Sequence, residues 1–404
     1  MNVDADAAPD ALAQAPADPR AAAPLRRLKI AVLNRVFSPT GGGAERYSIA
    51  LVERLAARHE IHVFAQQIDH QWPGVAYHRV SQPLTRPRWM NQLWYATATW
   101  WATRAGFDVV HSHENTWHGQ VQTVHVLPIK HSLWEGRVGI AKTLRWLKVI
   151  TSPRLLVYLW LERARYAAKL NRVLVVTASP LKEVMARAHP HTRPMLRLLT
   201  PGVAAVLGKA SPNGKERARQ ILSLPMDRPC ILFVANDFRK KGLASLLEAL
   251  TQLPVNTILA VVGNIAHAAG FKPQIQSLGL KARVFFLGAL KDVTPAYLAA
   301  DVLAHPTLQD TFGMVVLEAM AHGLPVVVSR EAFCGIAGLL THGDNALILQ
   351  NPRDANELSA QLLSSLQDNR LRDRLSTSAT VFAREHEWSN IAQQQEAMYF
   401  DVMK

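Results

Sequence analysis

The chain has 404 residues, 49% of them apolar and 19% charged, which at that length is enough apolar material for two separate cores. Lys and Arg number 45 against 31 Asp and Glu, a net charge of +14, so phosphates, acidic lipid surfaces or nucleic acid are the partners that charge favours. The two cysteines, Cys230 and Cys334, exclude a disulfide scaffold and a cysteine-rich metal site and fit a reducing compartment, with the cytosol as the first expectation.

Residues 1 to 24 are rich in Ala, Pro and Asp, lack the basic start and apolar stretch of a signal peptide, and read as a disordered tail. No run approaches the ~18 uninterrupted apolar residues that a membrane-spanning helix needs. The apolar run Leu28 to Leu33 reads as a buried strand, ended by Ser38, Pro39, Thr40 and the glycines Gly41 to Gly43. A helix from Glu45 to about Arg58 follows, with Ile49, Ala50, Leu51 and Leu55 on its apolar face, and then a strand from Ile61 to Ala65. Strand, glycine turn, helix and strand make a βαβ unit, which further strands at Val109 to His111, Gln122 to His125 and Val173 to Thr177 extend as a parallel sheet.

A second series begins after the polar stretch Ala210 to Arg219. Its strands are expected at Cys230 to Ala235, Thr257 to Gly263, Arg283 to Leu287, Val302 to His305 and Pro325 to Ser329, alternating with helices. One helix, Pro295 to Ala300, carries Thr294 as its expected N-cap. The fold class is therefore α/β, with two doubly wound Rossmann-like domains facing across a cleft, and ligands of such sheets bind beyond the carboxyl ends of the strands. The expected division is 25 to 205, 206 to 380, and a C-terminal helix over 381 to 404 that could cross back to the first domain.

Three segments carry chemistry. Gly41-Gly42-Gly43-Ala44-Glu45 lies between strand and helix, where free N–H groups and the helix dipole favour an anion; a sharp turn without a ligand is the alternative. Asn236-Asp237-Phe238-Arg239-Lys240-Lys241-Gly242 gathers three cations between a strand end and a helix N-terminus, as a diphosphate requires; a solvated basic loop is the alternative. Asp310-Thr311-Phe312-Gly313 precedes the helix-forming run Met314 to Ala321, in which Glu318 is an acid among apolar residues. Burial of Glu318 demands a partner.

The stretch Asp310 to Pro325 resembles the E-x7-E signature of the retaining GT-B glycosyltransferases of family four, written E-x-F-G-x-x-x-x-E-A-x-A-x-G-x-P. The early G-G-x-E turn, H-x-H at His111 to His113, T-x-H at Thr123 to His125, Pro201-Gly202-Val203 and the K-G loop agree in order and spacing. The resemblance runs from Leu28 to the C-terminal helix, and the Asp-Phe-Arg-Lys-Lys-Gly form is similar to enzymes that add sugars to the lipopolysaccharide core. It implies a transferase that moves a sugar from a nucleotide-diphosphate donor, with a UDP-sugar expected as substrate and no cofactor, onto a lipid-linked glycan.

Residue by residue, the resemblance puts Lys241, with Arg239 or Lys240, on the diphosphate, and Glu318 on the ribose. Phe312, Gly313 and the amides of Met314 and Val315 face the sugar and its phosphate, and Gly42 and Gly43 contact the donor from the opposite domain. His113, Asp310 and Lys241 form the catalytic set. Asp310 stands where the family has Glu, one methylene longer, and the family's usual Arg is either shifted to Arg239 or replaced by Lys240.

Breaking the anomeric C–O bond builds negative charge on the leaving diphosphate, so fixed cations beside a helix N-terminus stabilise the transition state more than the ground state. No carboxylate is an obvious nucleophile of the kind many retaining hydrolases use. His111, His113, His118, His125 and His131 match no zinc spacing, and the single D-x-D, Asp4 to Asp6, falls in the tail, so no metal is expected. Residues 81 to 170 hold 12 Lys and Arg against four acids, more than half the net charge. Trp89, Trp94, Trp100, Trp101, Trp134, Trp146 and Trp160 stand among them, a mixture suited to an anionic headgroup interface; a basic-edged core helix pair is the alternative. The expected place is therefore cytoplasmic, peripheral on the inner face of the cytoplasmic membrane, with no nucleic acid bound. A sugar-nucleotide epimerase, a phosphorylase, or a binding module that has lost catalysis are the competing readings.

Overall fold

A computed structural model of the protein describes residues 26–39, 42–204 and 208–404. The tail expected over residues 1 to 24 lies outside them, as does Gly41 of the glycine turn. The first half carries strands β1 (Lys29–Leu33), β2 (Val36–Phe37), β3 (Glu60–Ala65), β4 (Gln67–Ile68), β5 (Val75–Arg79), β6 (Val109–Ser112), β7 (Val121–Val124), β8 (Val173–Val176) and β9 (Leu196–Leu198). Its helices are α1 (Gly43–Leu55), α2 (Arg88–Thr103), α3 (Ile129–Trp134), α4 (Gly139–Ile150), α5 (Pro153–Arg165) and α6 (Ser179–Ala188).

The second half carries β10 (Cys230–Val234), β11 (Ile258–Val262), β12 (Val284–Gly288), β13 (Val302–His305), β14 (Val326–Ser329) and β15 (Leu347–Leu349). Its helices are α7 (Pro212–Ile221), α8 (Leu243–Thr251), α9 (Lys272–Ser277), α10 (Thr294–Ala299), α11 (Met314–Ala321), α12 (Ala355–Gln367), α13 (Asn369–Glu385) and α14 (Trp388–Asp401).

Two large sheets result, ordered β5-β3-β1-β6-β7-β8-β9 and β12-β11-β10-β13-β14-β15, beside a small two-stranded one of β2 and β4, with parallel pairing throughout. Both large sheets are doubly wound, as the alternation of elements in the sequence implies. Every residue of β6, β8 and β14 is buried, because helices cover both faces of a parallel sheet; β8 is wholly apolar, while β6 ends on the buried His111 and Ser112 and β14 on the buried Ser329. Ile30 is paired with Ile61 on one side and Val109 on the other, and Ile231 with Leu259 and Val302. Side chains buried in this way contribute about 1.5–3 kcal/mol each.

Several boundaries differ from expectation. The helix expected at Glu45 begins at Gly43. The polar stretch Ala210 to Arg219 is mostly helix α7, capped by Ser211, whose hydroxyl accepts from Gly214 N at 3.2 Å. Its buried Arg219 pairs with Asp301 at 3.0 Å and donates to the carbonyls of Ala299, Pro225, Met226 and Arg228. One buried guanidinium thus anchors a helix that has almost no apolar stripe. Thr294 is not the cap of α10 but its first residue: Val293 precedes it, and the Asp292 carboxylate accepts from Thr294 N at 2.9 Å. Strands β5, β9 and β15 were not anticipated, because β5 is a half-exposed edge and the other two have three residues each, too few to show a period.

The last helix lies on the first domain. Val203 and Glu387 form a bridge, a Cβ on Gly202 would come within 2.8 Å of the Trp388 ring, and α14 then packs along α1. Glu396 of α14 pairs with His59 at 2.7 Å and Arg58 at 3.0 Å.

Candidate active site

A doubly wound sheet opens a crevice where the chain leaves its central strands in opposite directions. In the first sheet that point lies between β1 and β6, so the turn leading into α1 and the residue after Ser112, His113, emerge side by side. In the second it lies between β10 and β13, where the Asn236 to Gly242 loop and the Pro306 to Gly313 loop emerge. The sequence-predicted residues therefore gather at two facing switch points.

On the second domain, Gly242 has φ +81° and a Cβ there would lie 2.0 Å from Pro306 O, so only glycine lets the two loops touch. Lys241 reaches across that contact: its Nζ donates to Asp310 Oδ2 at 2.6 Å and to Gln309 O at 3.2 Å. The same carboxylate oxygen lies 3.1 Å from His305 Nε2, and Asp310 Oδ1 accepts from Phe312 N at 3.3 Å. Burial alone would raise the Asp310 pKa, but the hydrogen bond from His305 and the Lys241 ammonium overturn this and hold the carboxyl well below its ordinary range. Burial pushes His305 down despite Asp310, so a neutral imidazole donating from Nε2 to an ionised carboxylate is the state we assign. The shorter side chain at position 310 is thus locked by three partners.

The three cations of the loop part company. Lys240 is largely exposed and 3.9 Å from Asp237, while Arg239 lines a cavity of about 340 Å³ together with Asp237, Phe238, His267 and Phe271. Only Lys241 joins Asp310. Gly313, at φ +101°, precedes α11, and a Cβ there would lie 2.7 Å from Cys334 Sγ. The Phe312 side chain belongs to the core and its carbonyl accepts from Ile336 N at 2.7 Å, so Phe312 shapes the turn. The groups left for a ligand are the first N–H groups of α11, at Met314 and Val315, which have no acceptor within the helix.

Glu318 is half-buried and has a partner for each carboxylate oxygen. Oε2 accepts from Tyr297 Oη at 2.7 Å and Oε1 from Arg46 Nη1 at 3.1 Å. Burial and the Glu318 charge raise the Tyr297 pKa well above its ordinary value, keeping that hydroxyl a donor. Arg46 comes from α1, so this pair crosses the cleft; beside it, a Cβ on Gly43 would stand 3.9 Å from Met314 Cγ. Sequence reasoning missed both Arg46 and Tyr297, since a charge in a first turn and an aromatic in a short helix carry no signal until the domains are brought together.

Behind α1, His113 Nδ1 lies 2.9 Å from His125 Nε2, with the rings stacked at 5.3 Å, and the His111 ring is 4.3 Å from that of His113. His111 is held by Tyr399 of α14 and by Thr123, both at 2.7 Å. Burial, then the neighbouring imidazoles and Arg165, push His111 down to about 3 and His113 well below its usual value; burial and Arg165 push His125 to about 3. All three are neutral at physiological pH. His113 Nε2 and Tyr47 Oη are buried without a partner, so His113 has a free ring nitrogen that offers a hydrogen bond and no charge. His118 and His131 lie apart from this group. Among the described residues, one set of potential ligand atoms converges within 4.8 Å, on His305, Asp310 and Cys334, and there the Lys241 ammonium already neutralises the carboxylate.

The basic segment turns outward. Trp94, Trp100, Trp101, Trp146 and Trp160 are exposed. Helix α4 buries only Val149 and presents Ile140, Leu144, Trp146, Leu147 and Ile150 to solvent beside Lys142, Arg145 and Lys148. The core helix pair is not what forms. Among the described residues, no helix is long and apolar enough to cross a membrane.

Residues 41–203 match Glycosyltransferase Family 4, and residues 214–381 match Glycosyl transferases group 1. Over 234 residues the chain is 30% identical to the lipopolysaccharide glucosyltransferase WaaG of Escherichia coli K12, an alignment that covers 56% of this chain and 61% of that relative's own length. The crystal structure of WaaG, a glycosyltransferase involved in lipopolysaccharide biosynthesis, superposes with a TM-score of 0.76 at 22% identity, covering 92% of this chain and 99% of that one. Anabaena HepE in complex with UDP and glucose superposes with a TM-score of 0.72 at 20% identity, covering 92% and 99%. With each domain matched in turn and the two-sheet architecture shared, the chain belongs to the GT-B glycosyltransferases, a Family 4 domain followed by a group 1 domain.

Proposed function

We propose that the protein transfers a sugar, with retention at the anomeric carbon and without a metal ion, from a UDP-sugar to a lipid-linked saccharide of the lipopolysaccharide-core type or a similar surface glycan. The observation that carries this reading is the meeting of α11 with α1: Glu318 and the α11 N-terminus face the Gly42-Gly43 turn and Arg46, with Lys241 tethered at the entrance by Asp310. The likeness to a lipopolysaccharide glucosyltransferase and to a protein that holds UDP and glucose supports the donor and acceptor classes.

In the reaction the bond from the anomeric carbon to the diphosphate oxygen breaks and one to the acceptor hydroxyl oxygen forms on the same face. The electron pair leaves with the diphosphate, whose phosphate oxygen takes the acceptor's proton. Lys241 and the α11 amides stabilise the charge that grows on the leaving group, a preorganised arrangement that acts most strongly in a site shielded from water. Glu318, aimed by Tyr297, accepts from the ribose hydroxyls, and Arg46 then releases or shares that carboxylate. Asp310 positions Lys241. His113, neutral, accepts from or donates to a sugar hydroxyl through Nε2. The acceptor's lipid lies at an anionic membrane surface, where α4 and the exposed tryptophans seat the enzyme; each cation near such a surface contributes about 1 kcal/mol.

The test is product analysis: the enzyme, a UDP-sugar and a membrane-extracted core saccharide, with the new linkage read by NMR. Release of UDP together with an anomeric configuration equal to that of the donor supports the reading, and an inverted linkage or sugar release without an acceptor contradicts it.

A further inference from the structure

The first sheet has a second opening at the end opposite the cleft. The segments that lead into β7 and β8 meet the start of β6 there, and with the end of α2 they enclose a cavity of about 270 Å³ whose lining includes Trp100, Arg104, His118, Lys169, Leu170 and Arg172. Because β6, β7 and β8 run parallel and His113 follows the carboxyl end of β6, this cavity lies across the sheet from the site described above.

Its electrostatics are one-sided. Arg104, Lys169 and Arg172 line it, and no carboxylate does. Arg172 is 5% exposed; its Nη atoms donate to the carbonyls of Ala164, Arg165 and Trp117 at 2.8–3.1 Å, while its Nε has no partner. Both ring nitrogens of His118 are also buried and unpartnered. A buried donor left unmade costs about 1–3 kcal/mol, and more when it is charged, so this is an arrangement that an incoming anion would complete. Burial together with Arg172 and Lys169 lowers His118 to about 3, the shift expected where cations stand without a counter-charge.

The rim is apolar. Leu170 is 97% exposed and Trp101 66%, Trp100 and Leu170 both line the cavity, and the Arg104 guanidinium lies 5.0 Å from the Trp101 ring centroid. A phosphate carried on a glycerolipid suits both parts: its oxygens fit the unfilled donors, and its glycerol and first methylenes fit the indoles and Leu170.

We propose that this cavity binds the phosphate of an anionic glycerophospholipid headgroup. The site is independent of glycosyl transfer. It deepens the membrane reading by adding a specific headgroup contact to the diffuse attraction of α4, on which it does not depend for its geometry.

Two variants separate the possibilities: Arg104→Glu/Lys169→Glu, both exposed and outside the catalytic machinery, and Arg145→Glu/Lys148→Glu on α4. Binding of inorganic phosphate and glycerol 3-phosphate is measured by calorimetry and by the His118 imidazole resonances. Binding to vesicles of phosphatidylglycerol or phosphatidylcholine is measured by flotation. The expected result is that glycerol 3-phosphate shifts His118 in the wild type and in the α4 variant, that the cavity variant weakens this at least tenfold, and that its partition onto phosphatidylglycerol falls at least as much. Loss of phosphate binding with unchanged vesicle partition would overturn the lipid source and leave a site for a soluble phosphate. Absence of phosphate binding in the folded wild type, or equal binding by the cavity variant, would overturn the site itself. If only the α4 variant lost vesicle binding, the membrane reading would stand and the headgroup cavity would fall.

Discussion

Acidification from pH 7.5 to 5 is expected to destabilise the protein through the buried imidazoles. His111 and His125 have pKa values near 3 in the folded chain against about 6.5 when unfolded. Between those values the unfolded state binds a proton that the native state refuses, so their contribution is fully present above about pH 6.5 and is lost as pH falls. At pH 5 the deficit is about 2 kcal/mol for each histidine, or about 4 kcal/mol for the pair, with His113 adding in the same direction. That is a large share of the ~5–15 kcal/mol by which domains are stable. Urea denaturation at pH 7.5, 6.5, 5.5 and 5.0 checks this, with the midpoint falling steeply below pH 6.5 at constant slope m. His125→Gln, which keeps a hydrogen-bonding group beside His113 but does not titrate, should flatten the dependence by about 1.4 kcal/mol per pH unit. Stability that is level from pH 7.5 to 5, or His111 and His125 titrating near 6.5 by NMR, would refute the reasoning.

Glu318→Gln should leave Tm within a few degrees yet weaken nucleotide-sugar binding by tenfold or more, since a charge-assisted hydrogen bond contributes about 1.5–3 kcal/mol; equal affinity by calorimetry removes Glu318 from the site. Gly313→Ala, forced to hold φ +101° against Cys334, should lower stability by more than about 1 kcal/mol, read as a drop in Tm, and an unchanged Tm contradicts the turn's role. Transfer is expected to survive EDTA, because Lys241 and the α11 N-terminus supply the positive charge; loss of activity restored by magnesium or manganese refutes this. Changing Arg145, Lys148 and Arg154 to Glu should reduce flotation with anionic vesicles while leaving turnover of a soluble acceptor intact, and equal flotation on anionic and neutral lipid ends the membrane reading.

The fold was legible because parallel sheets covered on both faces write themselves as short apolar runs, as in Cys230–Val234 and Val326–Ser329, separated by amphipathic or capped helices. Edge strands and α7 were not, because β5 is half-exposed and α7 is held by one buried arginine rather than an apolar stripe. At the site, the motif residues were readable in sequence: Lys241, Asp310 and Glu318 lie on loops and a helix that one domain assembles by itself. What escaped was whatever depends on two distant segments meeting. Arg46 answers to Glu318 across 272 positions, Tyr399 to His111 across 288, and neither residue type announces such a partner locally. The sequence left open whether Arg239 or Lys240 accompanies Lys241, and the turn closed by Asp237 sends both elsewhere.

The central claim is that two facing switch points make one nucleotide-sugar site through Lys241 and Glu318. Titration calorimetry of UDP-sugars against the wild type and Lys241→Gln tests it most directly. The account predicts saturable binding by the wild type that falls at least tenfold in the folded variant, whereas no binding of a UDP-, GDP- or ADP-sugar by the folded wild type, or equal affinity in the variant, would contradict it.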